Sequence, residues 1–284
     1  MKDREKSLFH KYCYLNGKII ELKDAKVSVT DIGVLRGFGV FDFLKVKDGK
    51  MLLIDRHLER LNNSIEKTNL KLPVSRGEII KIIDKLLEKN KVADAGVRIV
   101  LTGGESVDGM TYNPSKPTIF ILLQELHQYP DKIYQNGVKL ITFEHQRELP
   151  EAKTNNYITK MKLQGEKEKA GAFEILYVYK GHVLEGATSN FFIFKNDTLI
   201  TAKKDDILLG TRRGLVLELA REKFEIEERK INIEELRQAN EAFIVSTTPN
   251  IVPVVQIDGQ KIGDGKVGAN TKYLMERLGN YLSK

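Results

Sequence analysis

Cysteine is almost absent from these 284 residues: Cys13 stands alone, so no intramolecular disulfide is available. Long apolar runs are missing too. None approaches the roughly 18 residues a membrane-spanning helix needs, and no membrane partner is expected. The opening Met1-Lys2-Asp3-Arg4-Glu5-Lys6 is charged and leads into no apolar core, unlike a secretory signal. These features together lead to the expectation of a cytoplasmic protein. The five histidines show no metal-ligand spacing, and one thiol cannot build a usual structural zinc site, so no metal is expected. Gly37-Phe38-Gly39 and Gly103-Gly104 complete neither a Walker nor a dinucleotide fingerprint.

Charge is plentiful. The chain is 41% hydrophobic and 30% charged, an ordinary balance for a globular protein, with a formal net charge of +7. The basic residues are spread along the chain and interleaved with Asp and Glu, without the basic and aromatic runs of single-strand binders. A lysine-rich surface accounts for the excess, and no nucleic-acid partner is expected. A positive surface also helps attract an anionic cofactor and dicarboxylate substrates.

Turn signals divide the chain. Asn16-Gly17 and Asp48-Gly49 each join two short strand patterns, over 11–20 and 41–53. Helical spacing runs from Asp55 to Leu70, with Leu58, Leu61, Ile65 and Leu70 on one face, and Pro73 closes it. Ser75 caps a second helix through Leu87. Strands are predicted over 96–102, 118–123 and 138–143, a helix over 157–170 ending at Gly171, and strands over 175–179 and 191–194 about the Lys180-Gly181 turn. A helix over 215–224, strands over 241–245 and 252–257, and a helix over 270–282 complete the pattern. The polar, Pro130-containing stretch from about Gln124 is the linker candidate, set at 127–136. It separates an N-terminal domain, 1–126, from a C-terminal domain, 137–284. Helices and strands mix without a regular βαβ alternation, which favours α+β.

The chemistry centres on Lys153, in Glu151-Ala152-Lys153-Thr154-Asn155-Asn156-Tyr157, and on Glu185, in Glu185-Gly186-Ala187-Thr188-Ser189-Asn190. A lysine amine can form an imine with an aldehyde cofactor. A carboxylate can keep a pyridine nitrogen protonated, so that the ring withdraws electrons. By composition Lys153 is only one of 46 basic residues; its neighbourhood is what singles it out. A phosphate dianion needs basic side chains, hydroxyls and backbone N–H groups at a helix start. Residues of these types occur in Arg56-His57-Leu58-Glu59-Arg60-Leu61, in Leu209-Gly210-Thr211-Arg212 and in Ser246-Thr247-Thr248-Pro249, where each hydroxyl taken alone is equally an ordinary cap or turn. Arg56, one turn earlier, is the alternative to Arg60.

From Tyr14-Leu15-Asn16-Gly17 to Asp264-Gly265-Lys266-Val267-Gly268 the chain resembles the fold-type IV pyridoxal phosphate enzymes. These include branched-chain aminotransferases, D-amino-acid aminotransferases and aminodeoxychorismate lyase. The resemblance implies a two-domain α+β fold and pyridoxal 5'-phosphate carried on Lys153. It also implies Tyr157 on the ring hydroxyl oxygen, Glu185 on the pyridine nitrogen, and phosphate contacts from Arg60, the Thr211 and Arg212 N–H groups, Thr247 and Thr248. A partner-subunit loop enters each site in this family, so a homodimer or higher homo-oligomer is expected. On the substrate side, Arg36 looks like an arginine that an unusual group of D-amino-acid enzymes presents to the substrate carboxylate. The second arginine of that group is replaced by Thr188. Phe41, Asp108 and Met110 stand where the usual D-enzymes carry their tyrosine, arginine and histidine. Arg98 matches an arginine that branched-chain enzymes use near a glutamate side-chain carboxylate, and Thr248 lies on the substrate side as well.

The activity expected is transfer of an amino group between a branched-chain L- or D-amino acid and a 2-oxo acid such as 2-oxoglutarate, by ping-pong kinetics. Two alternatives keep the cofactor: aminodeoxychorismate lyase and (R)-amine aminotransferase. A third is a non-enzymatic basic binding protein, against which the intact Lys153, Glu185 and Arg60 argue.

Overall fold

The computed structural model describes residues 7–283, which fall into two compact units. One comprises residues up to His127 together with Ala152–Asn156. The other comprises Gln128–Glu151 and the chain from Tyr157 onward. The lysine segment, assigned by sequence position to the C-terminal domain, thus groups with the N-terminal unit.

The first unit is a six-stranded antiparallel sheet under two helices. Its strands are β1 (Tyr12–Leu15), β2 (Lys18–Glu21), β3 (Gly39–Lys47), β4 (Lys50–Met51), β5 (Ala95–Thr102) and β6 (Thr118–Gln124), in the order β2-β1-β6-β5-β3-β4. The hairpin turns form because Asn16-Gly17 and Asp48-Gly49 accept positive φ: 43° and 91°, 48° and 75°. A short helix α1 (Ile32–Arg36) precedes β3. Helices α2 (Ile54–Lys67) and α3 (Arg76–Asn90) lay Leu58, Leu61, Ile65, Ile79, Ile83 and Leu86 against Leu44, Ile99 and Ile121 of the sheet. Ser75 and Glu78 form a reciprocal capping box at the start of α3, as Ser75 led one to expect.

In the second unit, short helices α4 (Lys132–Gln135), α5 (Ile158–Lys162) and α6 (Gln164–Lys169) accompany a ten-stranded sheet. Its strands are β7 (Val138–Glu144), β8 (Glu174–Tyr179), β9 (His182–Gly186), β10 (Asn190–Lys195), β11 (Thr198–Thr201), β12 (Glu225–Glu228), β13 (Ile231–Asn232), β14 (Glu241–Ser246), β15 (Asn250–Ile257) and β16 (Gln260–Lys261). The path β10-β14-β15-β7-β8-β9 returns to β10 through one residue pair, Asn190 opposite Glu185. A ring of six strands results, filled by Leu140, Leu176, Phe191, Ile193, Ile244 and Val252. Alternate residues face the other way: Phe192 stacks on Phe243 at 4.8 Å on the side where α7 (Thr211–Ala220) and α8 (Ala269–Leu282) pack against β14.

Three local expectations need correction. The helix over 157–170 is two short helices, because Leu163 leaves helical geometry (ψ 4°) to bury itself against Ile175, Tyr177 and Ala187. The end at Gly171 holds: Gly171 at φ 60° and Ala172 donate back to Glu168 O and Lys167 O, a Schellman closure. The strand after the Lys180-Gly181 turn is β9, whereas 191–194 lies in the next strand, β10; β9 and the short strands β11, β12, β13 and β16 went unread. Finally, the helix placed at 215–224 is α7, which starts at Thr211 and ends at Ala220; Phe224 is buried beyond it.

Candidate active site

Residues 152–156 bind to β3 and α2. Phe41 N–H donates to Lys153 O (2.9 Å) and Asn155 N–H to Gly39 O (2.9 Å), while Lys153 N–H donates to Ser64 Oγ (3.0 Å). Backbone ties on both sides therefore aim the half-buried Lys153 side chain, whose Nζ lies 4.6 Å from the centre of the Phe41 ring.

One face of α2 carries His57, Arg60 and Ser64, at i, i+3 and i+7. Arg60 Nε–H and Nη2–H donate to Asp42 Oδ2 (2.7 Å) and Oδ1 (2.9 Å), a bidentate pair. His57 Nδ1 lies 2.7 Å from Asp42 Oδ1. An ionised carboxylate only accepts, so Nδ1 carries the hydrogen. Asp42 and His57 are fully buried, and the Arg60 side chain is 8% exposed. Burial pushes the Asp42 carboxyl up. The Arg60 guanidinium and the hydrogen bonds from His57 and Arg60 outweigh it and hold the group well below the usual carboxylate range.

On the same sheet the Arg98 guanidinium lies 5.2 Å from the Phe41 ring centre and 5.4 Å from that of Phe43. Phe41 thus touches both Arg98 and Lys153. Arg36 ends α1 as an exposed side chain, donating to Leu35 O (3.0 Å) and lying 3.3 Å from Met110 Sδ.

In the second unit Glu185 is buried at the ring closure. Arg147 donates to its Oε1 through Nε (3.0 Å) and Nη2 (2.6 Å); Leu208 N–H donates to Oε2 (3.1 Å). Asn190 Nδ2 bonds Leu208 O (2.8 Å) and lies 3.5 Å from Glu185 Oε2. Two residues beyond Leu208, Gly210 caps α7; a Cβ there would overlap Asn190 Oδ1. The N-terminus of α7, carrying Thr211 and Arg212, therefore lies beside the Glu185 carboxylate. Arg212 is buried, with Nε 3.4 Å from Asn250 Oδ1. That contact sets the Thr247-Thr248 turn, between β14 and β15, next to the same helix start. Both threonines are half-buried. Tyr157 opens α5, also half-buried. Nearby Tyr177 has its hydroxyl pushed up to about 12, first by burial and then by Glu174, with Tyr157 and Glu185 adding to the rise and Arg147 opposing it.

Sequence reasoning missed Asp42, His57 and Arg147. A signal existed for the first two: an acid between Phe41 and Phe43 in a strand pattern, and a histidine one turn before Arg60. Arg147 carried no local signal, because its partner lies 38 residues on.

The chain matches the class IV amino-transferase family over residues 39–257. It is 35% identical to the provisionally named branched-chain-amino-acid aminotransferase of Methanocaldococcus jannaschii, covering 95% of this chain and 96% of that one. It is 31% identical to the D-alanine aminotransferase of Bacillus licheniformis, covering 93% and 95%. Among solved structures, the branched-chain amino acid aminotransferase of Escherichia coli superposes with a TM-score of 0.89 at 23% identity, covering 96% and 95%. The protein belongs to the class IV aminotransferases, whose cofactor is pyridoxal 5'-phosphate. Its residues fit that group. A helix start and two threonines suit a phosphate, and a buried arginine-paired carboxylate lies beside them. No helix among the described residues is long and apolar enough to cross a membrane.

Proposed function

We propose that this aminotransferase exchanges amino groups between branched-chain L-amino acids and 2-oxoglutarate, as a cytoplasmic homodimer. The observation that carries the reading is the Phe41 ring, whose centre lies 4.6 Å from Lys153 Nζ and 5.2 Å from the Arg98 guanidinium. A guanidinium that shares an aromatic neighbour with the reacting amine suits a substrate with a second carboxylate, and glutamate and 2-oxoglutarate are such substrates. The 35% identical relative provisionally named for branched-chain amino acids supports the same reading. Val29, Val34, Val107 and Met110, exposed on the first unit, support a second copy.

When bound, pyridoxal phosphate supplies an aldehyde carbon that amines attack and a ring that withdraws electrons. Lys153 would hold the cofactor through Nζ; with the substrate amine in its place, the freed Nζ amine would accept the proton that leaves the substrate Cα. Glu185 would pair with the pyridine nitrogen, its carboxylate kept in place by Arg147. Tyr157 would hydrogen-bond the ring hydroxyl oxygen. Arg60, the first-turn N–H groups of Thr211 and Arg212, Thr247 and Thr248 would hold the phosphate, and Thr248, Phe41 and Arg98 would contact the substrate. The amino group would stay with the enzyme after the first 2-oxo acid leaves, so ping-pong kinetics are expected.

D-amino acids form the second reading, which Arg36 favours. Against it, the Asp108 carboxylate, where a usual D-enzyme carries its arginine, is taken up by Met110 N–H (2.9 Å), Thr111 N–H (2.7 Å) and the Thr111 hydroxyl (2.9 Å).

The test is a half-reaction titration: holoenzyme with one amino acid and no acceptor, following loss of the visible band of the lysine-bound cofactor. L-leucine or L-valine should discharge it. Discharge by D-alanine or D-glutamate alone would move the assignment to D-amino acids, and discharge by neither set would refute both. Lys153→Ala should lack the band while keeping its fold.

A further inference from the structure

Arg60 does not stand alone in its site. Of the two edges on which an arginine guanidinium presents paired N–H groups, the one formed by Nε and Nη2 is already occupied, bidentately, by Asp42. Asp42 is itself fixed by two further donors, His57 Nδ1 at 2.7 Å and Phe43 N–H at 2.7 Å on Oδ1. The remaining edge, Nη1 with the outer N–H of Nη2, is the one left for an anion. Arginine has many rotamers, and an arginine ordered only by its anion loses that freedom on binding. Here strand β3 and helix α2 have imposed the order beforehand. The arrangement carries a counter-effect: the carboxylate cancels much of the guanidinium's charge. A device for attraction alone would omit the acid. One that fixes direction keeps it.

We infer that Asp42 and His57 are positioning residues for cofactor phosphate binding: His57 holds Asp42, and Asp42 turns the free edge of Arg60 toward the phosphate. This rests on Arg60 being the phosphate contact. It goes beyond that reading in assigning part of the phosphate affinity to two buried residues that never touch the anion. Asn at position 42 keeps the shape but has one acceptor oxygen instead of two, so the pair loses its bidentate geometry. Leucine at position 57 removes the donor that holds the carboxylate. Asparagine there restores it, because its Nδ2 reaches about where the imidazole Nδ1 sits.

The experiment compares two probes on enzyme stripped of cofactor and reloaded: pyridoxal 5'-phosphate and pyridoxal, which lacks the phosphate. Dissociation constants come from the visible band on titration, and thermal midpoints are recorded alongside. Asp42→Asn and His57→Leu should weaken pyridoxal phosphate by about tenfold or more, the scale of one charge-assisted hydrogen bond, and leave pyridoxal within about twofold. His57→Asn should recover most of the loss. Arg60→Ala should erase the preference for the phosphorylated probe. If Arg60→Ala erases it but Asp42→Asn and His57→Leu only lower the thermal midpoint, the pair is structural and the inference fails alone. If Arg60→Ala leaves the preference intact, the phosphate reading of Arg60 fails and takes the inference with it.

Discussion

Asp42→Ala removes the acceptor on which four donors converge: Phe43 N–H, His57 Nδ1–H, and the Nε and Nη2 of Arg60. Asp42 and His57 have no exposed side-chain surface and Arg60 only 8%, so water cannot replace the lost carboxylate. Breaking a buried pair by deleting one partner costs about 3–5 kcal/mol, since the other charge stays behind uncompensated. For a fold of this size each kcal/mol lowers the melting temperature by about 2–4 °C, giving a drop of about 6–20 °C. The sign with pH is definite. The Asp42 carboxyl is held below its ordinary range in the folded state, so its stabilisation is fully present above the unfolded value, about pH 4, and is lost as pH falls toward the folded one. The gap between parent and variant should therefore be widest near neutrality and close on acidification. Urea melts of the cofactor-free protein from pH 3 to pH 8 would measure it. A variant within about 1 kcal/mol of the parent at pH 7 would refute the reasoning, because a buried guanidinium left alone cannot be that cheap; so would a gap that widens in acid. Asp42→Leu combined with Arg60→Met should recover part of the loss, since an apolar pair leaves no charge stranded.

Two further outcomes follow. Gly210→Ala has an unstrained backbone (φ −63°) but drives a methyl into Asn190; overpacking of that kind costs about 1–3 kcal/mol, and with Asn190 displaced, cofactor affinity measured by visible titration should fall. An unchanged affinity would separate the α7 start from cofactor binding. Arg98→Ala should raise KM for 2-oxoglutarate by about 10–100-fold, the loss of one charged hydrogen bond, while kcat and the KM for a neutral 2-oxo acid hold in steady-state assays. Equal losses for both acids would deny Arg98 its carboxylate.

What was legible in the sequence was what is local. Asn16-Gly17, Asp48-Gly49 and Lys180-Gly181 announce their turns because each ends in a glycine, which takes positive φ without a Cβ penalty. Ser75 announces α3 because its hydroxyl and Glu78 lie three residues apart. Lys153, Glu185 and the segments from Gly210 and Ser246 were visible as motifs within a few residues each. Distant pairings were not. Arg147 reads as one more surface base until β7 and β9 bring the ends of their strands together. Asp42 looks like a lapse in the alternation of β3 until α2 crosses over it. Leu163 sits in helical register, and only the cluster with Ile175 and Tyr177 breaks the helix there. The strand ring closes through the single pair of Asn190 and Glu185, a register no short window contains.

Ser64 accepts the Lys153 N–H and donates to Arg60 O one turn back on the same helix. Four residues of α-helix rise about 6 Å. The separation between the lysine's anchor and the arginine is thus a ruler cut to the pitch of α2, not a property of the loops that lead to either. Insertions before residue 152 can lengthen the approach without changing that interval. One added residue between 60 and 64 would swing the serine about 100° around the rod and leave the lysine's backbone without its mark. Drift in length among relatives should accordingly spare these five positions and gather in the connections around them.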